Sequence, residues 1–404
     1  MSLVVVSRRI TAEELGITKF TDLLGSNTSC FIKDGVGLIG WGEAQRLSAT
    51  GKSRFEDLDN SWKEVVESAE ISDQVNLEGS GLIAFGAMAF STNSQIESCL
   101  VVPKLVIGST NGEYFITTVN TDETQAKALI QNLTETQKLS FVSGKISAED
   151  FSTNVADAIK LISSGLVSKI VLARDLVSEA SNFNPNIGLR KLSEKFSSCY
   201  TYLVDGMFGT SPELLVQVTN REVSARVLAG TAGRGTDVEV DRAIGDALSH
   251  SHKNLAEHKF AIDSLTQAMQ ELCSQIKVSE EPFSLALPNL WHLASDVTAM
   301  LSDDSTSLKL LQALHPSAAV AGTPREKALE LIESIEGIDR GRYAGPIGWV
   351  SASGDGVWAI ALRGTQYRNN QVVAFAGCGI VSESEPESEL AETDLKFKAV
   401  LENF

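Results

Sequence analysis

Lys169 opens the segment 168–177 (SKIVLARDLV), which is apolar on both faces apart from Lys169, Arg174 and Asp175. A run of this kind reads as a buried strand. A lysine taken out of water loses part of its preference for the charged form and can serve as a general base. The competing reading is a strand-end lysine whose stem lies along the sheet while its ammonium reaches solvent. Glu213 stands in Thr210-Ser211-Pro212-Glu213-Leu214-Leu215, at the mouth of the apolar run 214–218. A carboxyl group flanked this way can keep its proton at neutral pH and act as a general acid. The plainer alternative is a turn residue ahead of a strand.

Three more carboxylates stand out. Glu257 sits beside His258 in a helical pattern, and Glu389 and Glu392 lie far away in the C-terminal segment. At i, i+3 and i+7, Glu389, Glu392 and Lys396 share one helical face. A few carboxylates completed by water and an anionic substrate suit Mg²⁺. His258 reads as a core histidine, and His250 and His252, two apart on a helix, do not face each other.

Arg363 follows a strand and shares a face with Ala359 and Ala361, whose small side chains leave room for a ligand. A guanidinium matches a carboxylate bidentately. In Leu228-Ala229-Gly230-Thr231-Ala232-Gly233 and Ala376-Gly377-Cys378-Gly379, the glycines let backbone N–H groups come close to an anion. Cys378 reads as a small packing residue.

These groups need elements to hold them. Residues 244, 248, 251, 255, 258, 262, 265, 269, 272 and 276 recur at 4-3 spacing, which predicts one long helix. Segments 348–353, 357–363 and 372–377 read as a meander punctuated by Ser353-Gly354-Asp355-Gly356 and Arg368-Asn369-Asn370. A C-terminal helix begins near Glu387. In the N-terminal third, about 1–145, apolar runs at 35–42, 82–86 and 105–108 alternate with glycine and read as strands. Helices are expected near 55–70 and 122–136. Mixed elements without regular βαβ alternation argue for α+β. The fragment Gly377-Cys378-Gly379 lacks the third glycine of a dinucleotide fingerprint, so NAD binding is not expected.

Composition narrows the classes. The chain has 404 residues and a formal charge of -18, so a nucleic-acid partner would be repelled. A small anionic substrate therefore requires local positive charge or a metal. Five scattered cysteines predict reduced thiols in a cytoplasmic protein. No run reaches the roughly 20 apolar residues of a membrane span, and the short run at 3–6 lacks the basic region of a signal peptide.

Taken in order, SKIVLARDL, GTSPELLVQ, LAGTAGRG, Glu257-His258, WHLAS, LHPSAAVAGTPRE, DRGRYAGPIGWV, IALRG, FAGCGIV and ELAETDLK closely resemble the chorismate-utilising enzymes. The isochorismate synthases match best. The resemblance covers about 146–404, and the N-terminal third, about 1–145, matches more loosely. It implies one domain over 1–404, with two extensive antiparallel sheets and helices packed outside. It also implies Mg²⁺ and a substrate, chorismate, that becomes isochorismate when water enters at ring C2 and the C4 hydroxyl leaves.

By the same resemblance, Lys169 matches the water-activating base and Glu213 the acid for the departing hydroxyl. Glu257 and Glu392 match metal ligands, with Glu389 contributing nearby. Arg363, Lys396 and the amides around Gly377 and Gly379 match carboxylate-binding groups. Gly230, Thr231, His292, Ser317 and Ala319 match positions lining the ring pocket. Anthranilate synthases typically carry glutamine where Lys169 stands, so neither ammonia nor a glutaminase subunit is expected. The remaining alternatives are a salicylate synthase and a non-catalytic chorismate-binding or carboxylate-binding protein. The expected assembly is a monomer or weak homodimer, and the product would feed menaquinone or catecholate siderophore synthesis.

Overall fold

The computed structural model describes residues 2–131 and 138–404. Two large sheets organise these residues, one of thirteen strands and one of ten. Their ladders are antiparallel apart from the edge pair Val4–Ile10 with Glu70–Asp73. Helices pack outside, which makes the α+β arrangement expected from the sequence. Both sheets take strands from the N-terminal third and from the remainder. The early strands Val36–Trp41, Ile83–Ala87 and Leu105–Thr110 lie where glycine-bounded apolar runs place them. Of the two helices expected there, one is Arg54–Ser68. The other spans only Glu123–Lys127, and positions 132–136 lie outside the described residues.

In the thirteen-stranded sheet, β1 (Lys169–Glu179) carries Lys169, and its first seven residues are buried. In the ten-stranded sheet, β2 (Leu214–Thr219) pairs with β3 (Glu222–Gly233), and β3 pairs with β4 (Leu290–Leu301). β5 (Gly356–Ile360) follows on the other side of β2. Trp358 on β5 is fully buried under Gly86, where a Cβ would come within 2.3 Å of its ring. Burying a large side chain of this kind stabilises by roughly 1.5–3 kcal/mol. β6 (Gln371–Ile380) returns to the first sheet and runs beside β1.

The helix α1 (Ala148–Ser163) packs on β1 through Phe151, Val155, Ala158 and Ile162, spaced for one buried face. Ser147 caps it reciprocally with Asp150.

Two expectations are corrected. The apolar stripe from 244 to 276 is not one helix. Val238–His250 ends at Ser251, whose ψ of 117° is extended and whose hydroxyl accepts from Asn254 N, starting α2 (His252–Met269). Serine is a favoured N-cap, so a residue counted into the stripe is a boundary. After Met269 the chain becomes the strand Cys273–Val278 against β4, and sheet pairing overrides the helical spacing of Leu272 and Ile276.

The expected meander is also divided. Pro346–Ser351 and β5 belong to the ten-stranded sheet, whereas Gly364–Arg368 and β6 belong to the other. The chain changes sheets at 361–363. Two further helices complete the frame, α3 (Arg325–Glu336) and α4 (Pro386–Leu401), the second close to its expected start.

Candidate active site

Crossings between the sheets place two of the charged groups. Pro212 and Glu213 link the strand Met207–Ser211 of one sheet to β2 of the other. Ala361, Leu362 and Arg363 link β5 back to Gly364–Arg368. The crossings are stitched together: Ile360 N donates to Glu213 O at 3.1 Å, and Thr210 N donates to Arg363 O at 3.3 Å. Tyr202, fully buried, donates its hydroxyl to Leu362 O at 2.8 Å. Arg363 therefore does not lie on a strand face with Ala359 and Ala361 as its spacing suggests. Its φ of 46° is left-handed, a costly backbone for a non-glycine residue that persists where surroundings impose it.

A buried cavity opens beside the crossings. Its walls include Glu213, Gly230, Thr231, Glu257, His292, Ala319, Arg363, Gly377, Gly379, Glu392 and Lys396. Lys169, Ser317 and Glu389 do not line it. Its free space is about 50 Å³, far below the roughly 300–1,000 Å³ of typical ligand sites. Two pairs of lining side chains are bonded to each other, Arg363 with His292 and Lys396 with Glu392. A wider groove of about 780 Å³ lies elsewhere, but Asp263, Glu271, Lys309 and Arg325 along it are exposed. The smaller cavity has the buried, convergent charge that chemistry requires.

Lys169 is fully buried, so it does not reach solvent. Its Nζ lies 3.1 Å from Glu257 Oε1 and makes no hydrogen bond of good geometry, so the contact is an ion pair alone. Glu257 comes from α2 and faces the cavity. Behind it, Gly379 is in close approach: a Cβ there would sit 2.2 Å from Glu257 Oε1 and 2.8 Å from Lys169 Cε. Glycine lets β6 pass this pair without displacing either side chain. The neighbouring His258 turns the other way, 2.9 Å from Ser295 Oγ, and burial holds its ring down at about 4. It is the core histidine expected from its position.

Burial pushes the Glu213 carboxyl up to about 8, against the opposing pull of Lys169, Arg363 and Lys396. It carries a proton at neutral pH. Arg363 Nη2 donates to His292 Nε2 at 2.7 Å. A guanidinium is never an acceptor, so Nε2 accepts and the proton sits on Nδ1, 3.2 Å from Gly230 O. Burial first, and then Arg363, hold His292 well below the usual imidazole range. Gly230 has a φ of 88° and lies where the β3–β4 register shifts between Leu228 and Thr231. This bulge turns Thr231 towards His292, with Oγ1 at 3.3 Å from Nδ1.

From α4, Lys396 donates to Gly377 O at 2.8 Å and to Glu392 Oε1 at 2.5 Å. Burial opposes the Lys396 charge, but Glu392 overcomes that and raises its pKa. Glu389, on the same helix, bonds Lys253 at 2.8 Å and points away from the cavity. The expected trio of carboxylates thus does not assemble. Among the described residues no three His, Cys, Asp or Glu side chains gather as a metal cage. Glu257 and Glu392 do both face the cavity, one from each of two helices. Cys378 is buried with its thiol near Glu389 O at 3.7 Å, in keeping with a packing role.

Arg340 and Tyr343 also line the cavity and were not singled out from the sequence. Both lie in DRGRYAGPIGWV, so a signal existed in the motif. Lys253 gave none, because its partner is distant in the chain.

The family model for chorismate binding enzymes matches residues 25–404. The chain belongs to the chorismate binding enzyme family. Within it, the chain is 36% identical over 266 residues to the isochorismate synthase DhbC of Bacillus subtilis, covering 63% of this chain and 67% of that one. A crystal structure of a putative 2,3-dihydroxybenzoate-specific isochorismate synthase from Bacillus anthracis superposes with a TM-score of 0.77 at 28% identity, over 97% and 98% of the two chains. The menaquinone-specific isochorismate synthase MenF of Escherichia coli shares the fold, with a TM-score of 0.81 at 23% identity over 99% and 95%.

Proposed function

We propose that this chain is an isochorismate synthase, an isomerase that converts chorismate to isochorismate. Water adds at ring C2 and the C4 hydroxyl departs as water, so atoms balance without a co-substrate. The observation that carries the reading is a carboxyl protonated at neutral pH, Glu213, at the same buried cavity as the Lys169–Glu257 pair. The relatives' activity supports it.

Within this reading each group has a task. Arg363 and Lys396 bind the substrate's carboxylates, aided by amides at Gly377 and Gly379. Arg363 exchanges His292 for a carboxylate, a charge-assisted and stronger partner. Lys169, released from Glu257 and having given up its ammonium proton to solvent, takes the proton from the entering water as a neutral amine. Glu213 gives its proton to the departing hydroxyl. A positioned acid or base contributes roughly 10²–10⁴-fold each. Gly230, Thr231, His292 and Ala319 shape the space around the ring. Ser317 acts from behind, in the turn where Ala321 N donates to its carbonyl.

Two facing carboxylates, completed by substrate and water, form a donor set that Mg²⁺ accepts. Glu257 and Glu392 would hold the ion, and Glu389 would bear on it only through Lys253 and the helix that Glu389 shares with Glu392. Bound Mg²⁺ supplies positive charge to a substrate carboxylate. Strands from both regions of the chain in each sheet support one domain over 1–404. No helix among the described residues is long and apolar enough to cross a membrane. The reading includes a cytoplasmic protein, a monomer or weak homodimer, acting without a glutaminase subunit.

Chromatography of the products from chorismate and Mg²⁺ tests the proposal. Isochorismate supports it. Salicylate as the main product would make the chain a salicylate synthase, and no turnover would leave a binding protein.

A further inference from the structure

β1 is paired with β6 on one side, from Ile170 with Ile380 to Glu179 with Gln371. Its other side is covered only in pieces. The short strand Gly322–Thr323 meets Lys169 and Ile170, and Val142–Ser143 meets Val177 and Leu176. Between these pieces the backbone of Val171 and Ala173 needs other partners. Val171 N donates to Ala321 O at 2.7 Å. Two side chains do the rest: Val171 O accepts from Arg340 Nη2 at 2.7 Å, and Ala173 N donates to Glu336 Oε1 at 2.7 Å.

Glu336, the last residue of α3, and Arg340 are bonded to each other. Nε meets Oε2 at 2.9 Å and Nη2 meets Oε1 at 2.5 Å, with both side chains almost wholly buried. Arg340 reaches further, donating from Nη1 to Val320 O at 3.2 Å, and its guanidinium lies 4.5 Å over the Phe90 ring. One fork thus ties β1 to the loop that carries Ala319 and Val320. Val171, Val320 and Arg340 itself all line the cavity.

We propose that Glu336 and Arg340 are positioning residues, an ion pair standing in for a missing strand and fixing where β1 presents Lys169. The inference rests on the reading of Lys169 as the base. An apolar pair of equal volume would fill the space yet leave Val171 O and Ala173 N buried without partners. A polar pair is needed because two backbone groups of opposite kind, one acceptor and one donor, must be met from one place. A lysine at 340 could reach one carbonyl, but not Val171, Val320 and Glu336 together.

The test uses steady-state kinetics of isochorismate formation by Arg340→Lys, in the unsubstituted chain and in a Lys169→Ala background, with thermal unfolding recorded for each. Misplacement of a reacting group costs up to about 10²-fold. The expected result is therefore a kcat loss approaching that size with KM little changed. In the Lys169→Ala background the same substitution should cost nothing further, because groups acting as a unit are not additive. Should Arg340→Lys fail to fold, Glu336→Gln, which keeps an acceptor for Ala173 N, is read in the same way. A raised KM with intact kcat would overturn the inference by making Arg340 a substrate contact. An equal loss with and without Lys169 would also overturn it, as would an unchanged kcat in the folded variant. If the unsubstituted protein makes no isochorismate, the reading of the site fails, and the inference falls with it by a distinguishable route.

Discussion

Lys169 and Glu257 form an ion pair 3.1 Å apart, packed directly against the backbone of Gly379, where a Cβ would displace one of the two side chains. The contact joins the proposed base to a proposed metal ligand. Gly379→Ala puts a Cβ into the space of Glu257 Oε1, so one of the two side chains must move. The expected outcome is a folded protein, since β6 keeps its ladder, with kcat reduced about 10²-fold by misplacement. Circular dichroism and kinetics on one preparation check this.

The pH dependence should carry the mark of Glu213. Its carboxyl is protonated below about 8 and ionised above. As the acid for the leaving hydroxyl it predicts kcat/KM falling as pH rises through about 8. Glu213→Gln should lower kcat by roughly 10²–10⁴-fold and remove that limb. Stability follows a related course. The unfolded chain releases this proton near the ordinary value of 4.5, while the folded protein keeps it to about 8. Unfolding therefore releases a proton in that window, and stability falls as pH rises across it. The glutamine variant should show a shallower fall in melting temperature over the same range.

Arg363 should act on substrate affinity. Losing a hydrogen bond to a charged group costs about 1.5–3 kcal/mol, or roughly 10–100-fold. Arg363→Gly suits the φ of 46°, so the fold should tolerate it. KM should rise by that factor with a smaller change in kcat. Arg363→Lys should recover little, because a lysine lacks the planar fork. Kinetics on both variants test this, and an unchanged KM would remove Arg363 from carboxylate binding.

Metal dependence is predicted at Glu257 and Glu392 and not at Glu389. Treatment with EDTA should abolish turnover, and added Mg²⁺ should restore it. Glu257→Gln and Glu392→Gln should raise the Mg²⁺ concentration for half-activity strongly. Glu389→Gln should shift it little, because that carboxylate is occupied by Lys253 at 2.8 Å. Equal shifts for all three would place Glu389 among the ligands.

Much of the site was legible because its residues lie in strongly patterned segments. The run of apolar residues around Lys169 marked a buried strand, and the helical spacing of Glu392 and Lys396 placed both on one face. What failed depended on long-range geometry. Arg363 looked like a strand residue because spacing cannot reveal that the chain leaves one sheet for another after Ile360. Ser251 looked like a member of the stripe because a cap and an interior serine have the same neighbours in sequence. Glu389 shares a face with Glu392, yet Lys253 from α2 claims it. The buried partnership of Glu336 with Arg340 was not legible, because the helix ends between them at Gly337 and the backbone the pair serves is distant in sequence.

The most direct test of Lys169 as the base runs the reaction in water labelled with heavy oxygen, with Mg²⁺ present, for the unsubstituted chain and Lys169→Ala. The expected product is isochorismate carrying one heavy oxygen at the C2 hydroxyl, with product formation nearly lost in the variant. Isochorismate without the label, salicylate as the main product, or full activity without Lys169 would contradict it.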